Sequence, residues 1–304
     1  MKLVTIDARE VAGRPGVLLD SGDILDLTAA PVTLAESQWI PQSVVSILVA
    51  GDKGREHAMR LVRAAENATA AEESKMRDTG VLLPFSGTAL MAPVRRPGLV
   101  LISAPAGNGA GEPDPVAFIK GPNTVVGPAA LVRPPWNGKD QVVAMGMLAA
   151  VLGKPLYQAS SAEAAAAVAA YTLIIDLSLL PPAATDLTVA EEWRRYIDSK
   201  QFPGACPMGP AMVTVDAMPP PEQASASMRI NDVLVSEDSV WPTADSAAEL
   251  LAALSGRFGF RPGDTVALGP AGSTACSQGV ALMAGDTFSV ALDGIMSLSV
   301  EIAT

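Results

Sequence analysis

From about Leu90 onward the chain is a series of short β-rich runs cut apart by proline and glycine clusters, and this punctuation constrains the fold more than any other feature. The runs are Gly98–Ser103, Val116–Ile119, Met147–Leu152, Tyr171–Leu177, Ala211–Val215, Thr265–Leu268, Thr287–Leu292 and Leu298–Ile302. Only three helical stretches interrupt them: Ala162–Ala169, Ala190–Ser199 and Ala247–Arg257. A doubly wound parallel sheet needs a helix between most pairs of strands, so the spacing predicts an α+β fold, a mixed β roll or sandwich. Ser160 and Ser161 are candidate N-caps for the first of these helices, with Glu163 in the first turn where the helix dipole favours an anion.

The first 75 residues read differently. Leu3–Ile6, Gly16–Asp20 and Asp23–Leu27 are short apolar runs, and Ser21-Gly22 between the last two is a hairpin signal. From about Gln42 to Glu73 the spacing is helical, with Met59, Leu61, Val62 and Ala65 on one face. The expected division is a small N-terminal α/β domain over 1–75, a glycine-punctuated linker over 76–91, and a larger domain over 92–304.

With 49% hydrophobic and 17% charged residues the chain is globular in composition. Its formal charge of −11 argues against a nucleic-acid partner, which requires clustered lysine and arginine, and against an anionic membrane surface. No apolar run reaches spanning length. Met1-Lys2 leads directly into the strand-like Leu3-Val4-Thr5-Ile6, too short for the apolar core of a signal peptide. Two cysteines, Cys206 and Cys276, are too few for a disulfide framework. The expectation is a soluble cytoplasmic protein whose partner is a small molecule.

Several segments, taken in order, carry a more specific signal. Phe118-Ile119-Lys120-Gly121-Pro122 leads on to Gly127-Pro128, and Lys200-Gln201-Phe202 is followed by Cys206-Pro207-Met208-Gly209-Pro210 and Thr214-Val215-Asp216. Ala92-Pro93-Val94 precedes them, and Arg261-Pro262-Gly263-Asp264, Gly269-Pro270-Ala271-Gly272 and Gly285-Asp286 close the chain. Together these resemble the fumarylacetoacetate hydrolase family in its long form, across nearly the whole sequence. The resemblance implies a mixed β-sandwich roll with a small N-terminal α/β domain, and a homodimer.

In that family a Glu-x-Glu strand and an aspartate in an Asn-Asp-Val-Ser motif supply oxygen ligands to Mg²⁺ or Mn²⁺. Here the matching positions hold Met145 and Met147, whose thioethers offer nothing to a hard cation, and Asp176 stands in Ile175-Asp176-Leu177-Ser178-Leu179-Leu180 without the asparagine, arginine and second aspartate. The family's histidine-bearing lid is replaced by the glycine-broken stretch 104–113. The resemblance therefore implies a site with no metal and no other cofactor. Its surviving ionisable pair is Lys200 and Asp176, and its wall is Met145, Met147, Ile175, Ser178, Leu180, Phe118, Lys120, Gly269 and Pro270.

Other candidates are weaker. His57, the sole histidine, is expected on a solvated helix face; Cys206 is expected to be a small buried hydrophobe; Cys276 has no histidine near it in sequence to activate it. The Gly107–Gly111 cluster lacks phosphate-loop spacing. The expected function is metal-independent isomerase, cyclase, decarboxylase or other lyase chemistry on a rather apolar carbonyl compound, with Lys200 and Asp176 as acid–base or oxyanion pair. The alternatives are an inactive homologue acting as a binding protein or partner subunit, and a residual C–C bond hydrolase.

Overall fold

A computed structural model describes residues 1–8, 13–34, 39–104, 115–135, 141–180, 188–220, 223, 225–238, 244–270, 279–292 and 294–304. The N-terminal part comprises β1 (Lys2–Ile6), β2 (Arg14–Leu18), β3 (Asp23–Asp26), α1 (Ala30–Leu34), α2 (Val44–Val49), α3 (Gly51–Glu66), α4 (Ala70–Asp78), β4 (Leu82–Pro84) and β5 (Leu90–Met91). Next come β6 (Val100–Ala104), β7 (Val116–Lys120), β8 (Val125–Val126), β9 (Ala130–Val132), β10 (Gln141–Leu152), α5 (Ser161–Ala167), β11 (Val168–Leu180) and α6 (Val189–Asp198). The C-terminal part holds β12 (Cys206–Thr214), β13 (Ala226–Ile230), β14 (Val233–Asp238), α7 (Ala244–Ser255), β15 (Thr265–Pro270), β16 (Val280–Leu282), β17 (Thr287–Leu292) and β18 (Met296–Ile302).

The fold is α+β and mostly sheet, as the proline and glycine punctuation predicts. A large mixed sheet runs in the order β4-β3-β2-β1-β12-β11-β10-β15-β6-β7, and a second runs β14-β13-β17-β18-β9. The N-terminal strands belong to the large sheet: β1 lies antiparallel to β12, with Lys2 opposite Val213 and Leu3 opposite Met212. The 76–91 segment, read from sequence as a linker, contributes β4 against β3 and β5 against β1.

The central pair β10 and β11 stays in register over most of its length, and its residues alternate between two cores. Leu148, Ala150, Leu173, Ile175 and Leu177 enter one core, which the second sheet covers with Phe288, Val290, Leu298 and Val300 and which α5 and α7 flank. Met147, Ala149, Val151 and Ile174 enter the other, beneath Ile47, Leu48, Leu61 and Val62 of α2 and α3. Gly146 lets the sheets approach: a Cβ there would lie 2.7 Å from the Val290 side chain. The capping of α5 follows expectation, with Ser160 accepting from the Glu163 amide and Glu163 accepting in return from the Ser160 amide.

His57 departs from expectation. It is 3% exposed on the face of α3 that carries Gly54, Ala58, Leu61, Val62 and Ala65, with the Trp39 ring edge-on at 4.8 Å. The flanking Arg55, Glu56 and Arg60 make the segment look solvated, but the helical period turns His57 inward with its apolar neighbours. Among the described residues its Nε2 has no hydrogen-bond partner, and burial, then the charge of Arg60, lowers its pKa from 6.5.

Candidate active site

Asp176, Lys200 and Lys120 converge from three separate parts of the chain. Asp176 lies near the end of β11, 4% exposed, on the face shared by Ile174 and Ser178. Lys120 ends β7, one edge of the large sheet, yet its Nζ donates to the Leu177 and Ala205 carbonyls, both at 2.9 Å. The sheet therefore curls until its edge strand meets the end of β11. Lys200 follows α6, and hydrogen bonds along β11 fix its segment: Leu179 N–H donates to Ser199 O and Leu177 N–H to Ala205 O.

The carboxylate is held between the two ammonium groups. Lys120 Nζ lies 2.7 Å from Asp176 Oδ1 and Lys200 Nζ 3.0 Å from Oδ2. The Lys120 contact is an ion pair misaligned for a hydrogen bond, so among the described residues Oδ1 is a buried acceptor with no aligned donor. Lys200 Nζ also donates to Ser178 Oγ at 2.5 Å and stands 4.4 Å from the centre of the Phe118 ring. Burial pulls the Lys200 ammonium below its ordinary pKa of 10.5; Asp176 opposes this, and Lys120 adds to it. The two lysines are not equivalent, since the Lys120 side chain is fully enclosed and that of Lys200 keeps 14% of its surface open.

The expected wall residues separate into groups. Met145 sits directly across from Asp176 in the β10–β11 ladder, half-buried and on the same face. Phe118 and Ser178 touch Lys200. Met147 shares the face of Met145 but is 2% exposed within the core under α2 and α3. Leu180 ends β11 48% exposed, Gly269 is buried in β15, and the backbone of Pro270 pairs with Met147. Ile175 is a correction: it points to the opposite face and is fully buried in the core beneath the second sheet, because neighbours on a strand alternate. Lys120 was expected only as wall, and it is instead the cation closest to the carboxylate. Residues 104–113, except Ala104, and Cys276 lie outside the described residues.

Sequence reasoning passed over Gln201 as a functional residue. Its side-chain carbonyl accepts from Gly121 N–H at 2.9 Å and its amide donates to Ile119 O at 2.6 Å, clamping the Lys200 segment onto the end of β7. Cys206 is buried, and burial pushes its thiol up to about 12, so it is packing and not a nucleophile.

Residues 102–303 match the family described as fumarylacetoacetate (FAA) hydrolase C-terminal, and the chain belongs to that family. Oxaloacetate tautomerase YisK of Bacillus subtilis is 28% identical over 299 residues, covering 94% of this chain and 95% of that protein. Among solved structures, maleylpyruvate hydrolase from Sphingobium sp. SYK-6, in complex with manganese(II) ion and pyruvate, superposes with a TM-score of 0.66 at 21% identity, covering 100% of this chain and 99% of that one. A probable 2-hydroxyhepta-2,4-diene-1,7-dioate isomerase from Mycobacterium abscessus gives 0.68 at 21% identity, covering 100% and 98%. The family fold expected from the sequence is present, and a tautomerase is among the proteins similar to the chain in sequence.

Proposed function

We propose that this chain is an isomerase-type or lyase-type enzyme that acts on a small carbonyl compound without a divalent cation. The observation that carries the reading is the buried carboxylate of Asp176, clamped between two ammonium groups with Met145 across the strand. A hard dication does not fit this donor set. It needs several oxygen ligands, whereas among the described residues no three His, Cys, Asp or Glu side chains come together. It would also have to displace Lys200 and sit beside the charge of Lys120.

The same arrangement suits enolisation. A carbonyl oxygen presented at Lys200 Nζ meets a cation that is pinned by Ser178 and Asp176, so negative charge developing on that oxygen is stabilised with little reorganisation. Asp176 is the base within reach for an α-proton, and it returns that proton to a different carbon in an isomerisation. Lys120 stays fixed by two backbone carbonyls and stabilises the carboxylate through both steps. Met145 and Phe118 give the substrate's carbon framework an apolar surface.

The test is turnover by Lys200→Ala and Asp176→Asn proteins across a panel of 2-oxo acids and 1,3-dicarbonyl compounds. The reading expects loss of about 10²-fold or more in each variant on any compound the parent converts. A Lys200→Ala protein with full turnover removes it.

A further inference from the structure

We propose that Lys200 is a nucleophilic amine which condenses with the carbonyl carbon of a ketone at this site to give an iminium. This rests on reading the Asp176–Lys200 cluster as a carbonyl site and takes that reading one step further, from polarising the substrate to bonding it covalently.

The two lysines divide the work. Lys120 is fully enclosed, with the Leu177 and Ala205 carbonyls and Asp176 around its Nζ, so no ligand reaches it. Lys200 is set differently: its side chain keeps 14% of its surface exposed, and its Nζ rests against the Phe118 ring in a largely desolvated setting. A lysine becomes a useful nucleophile when desolvated or placed beside a second cationic group. Both conditions hold, since Lys120 contacts the same carboxylate from the far side. Burial and the neighbouring ammonium also lower the pKa of Lys200, consistent with this placement.

The step balances without a co-reactant. Lys200 gives one ammonium proton to Asp176, and its lone pair then attacks the carbonyl carbon, forming the N–C bond as the carbonyl oxygen takes that proton. The nitrogen returns a second proton to Asp176, leaving a neutral carbinolamine. The hydroxyl accepts this proton and departs as water while the nitrogen lone pair closes the C=N bond. One ammonium and one ketone become one iminium and one water, with charge conserved. Asp176 makes each transfer from a position 3.0 Å from Nζ. The iminium withdraws electrons from the adjacent carbon, and so supplies an electron sink of the kind a Lewis acid otherwise provides. The substrate class is accordingly a ketone or 1,3-diketone able to rest on Met145 and Phe118, and not an ester or amide.

The experiment uses the full chain and acetylacetone, which converts a nucleophilic lysine into a conjugated enaminone with near-ultraviolet absorbance. The expected result is one equivalent of adduct per chain, mapped to Lys200 by peptide mass spectrometry. Labelling should slow at least about tenfold in Lys200→Arg, which keeps the charge but cannot condense. Lys154→Arg, at an exposed lysine outside the site, should label like the parent. Peptide mapping of the parent is independent of how well any variant folds. Adduct spread evenly over exposed lysines, or none at Lys200 in the folded parent, overturns the inference. Solvent-deuterium exchange of a ketone, followed in the same samples, separates the two ideas. Exchange that needs Asp176 but proceeds without adduct sinks the covalent step and keeps the carbonyl reading. Adduct without exchange supports the covalent step and sinks the proposed reaction.

Discussion

Asp176→Asn removes the negative charge between two ammonium groups while keeping the side chain's size, and its cost follows from what each lysine retains. Lys120, fully enclosed, keeps its bonds to the Leu177 and Ala205 carbonyls but loses its counter-charge. Lys200 keeps Ser178 and the Phe118 ring. Removing one partner of a buried ion pair costs about 3–5 kcal/mol. With Lys120 stranded and Lys200 still partnered, this variant falls in the middle of that range, at about 4 kcal/mol. At about 2.1 cal/mol/K of unfolding entropy per residue, a loss of that size lowers Tm by roughly 6 °C in a chain this long. Urea unfolding followed by tryptophan fluorescence reads the free energy, and calorimetry reads Tm. Asp176→Asn combined with Lys120→Met then tests the cause. Deleting the stranded ammonium should recover about 2 kcal/mol, less than the whole loss because the Leu177 carbonyl loses its donor. An Asp176→Asn protein within about 1 kcal/mol of the parent, or a double variant whose loss is the simple sum of the singles, would refute the reasoning.

His57 and Cys206 give two further expectations. Because burial lowers the folded-state pKa of His57, the unfolded chain binds its proton first as pH falls below 6.5. Stability is therefore constant above that pH with respect to this group and declines below it until the folded pKa is passed. His57→Leu should flatten this decline in urea titrations across pH 7 to 5, and an unchanged slope would contradict the burial of the ring. Cys206, with its thiol pushed up to about 12, should resist iodoacetamide at pH 8 in the native protein and react once the protein is unfolded in urea; native labelling at the unfolded rate would show the thiol to be accessible.

Much of the frame was legible because strands and turns carry local signals. Thr287–Leu292 alternates cleanly and is β17, with Phe288, Val290 and Leu292 inward. The β13–β14 hairpin went unread although Asn231-Asp232 marks it, both residues adopting positive φ between Ile230 and Val233. β10 begins six residues before the expected Met147, since Gly146 inside it serves close sheet packing and does not break the strand. In the site, the Asp176–Lys200 contact was foreseen from the family resemblance and is present. Lys120 as the second cation was not, because its acceptors are 57 and 85 residues away and only the curl of the sheet brings them to it. Its alternation with Phe118 along β7 was the one available hint, as both then face the same way.

The central claim is carbonyl chemistry by Lys200 and Asp176 without a divalent cation, and deuterium exchange tests it most directly. The protein, dialysed against EDTA and assayed in D₂O, is incubated with pyruvate, oxaloacetate and acetylacetone while NMR follows the loss of α-proton signal. Exchange above a protein-free blank of the same metal content is predicted on at least one of these compounds, at a protein-dependent rate that EDTA does not lower and that added Mg²⁺ or Mn²⁺ does not raise, and which Lys200→Ala abolishes. Exchange that appears only when Mg²⁺ or Mn²⁺ is restored, and that survives Lys200→Ala, would contradict it.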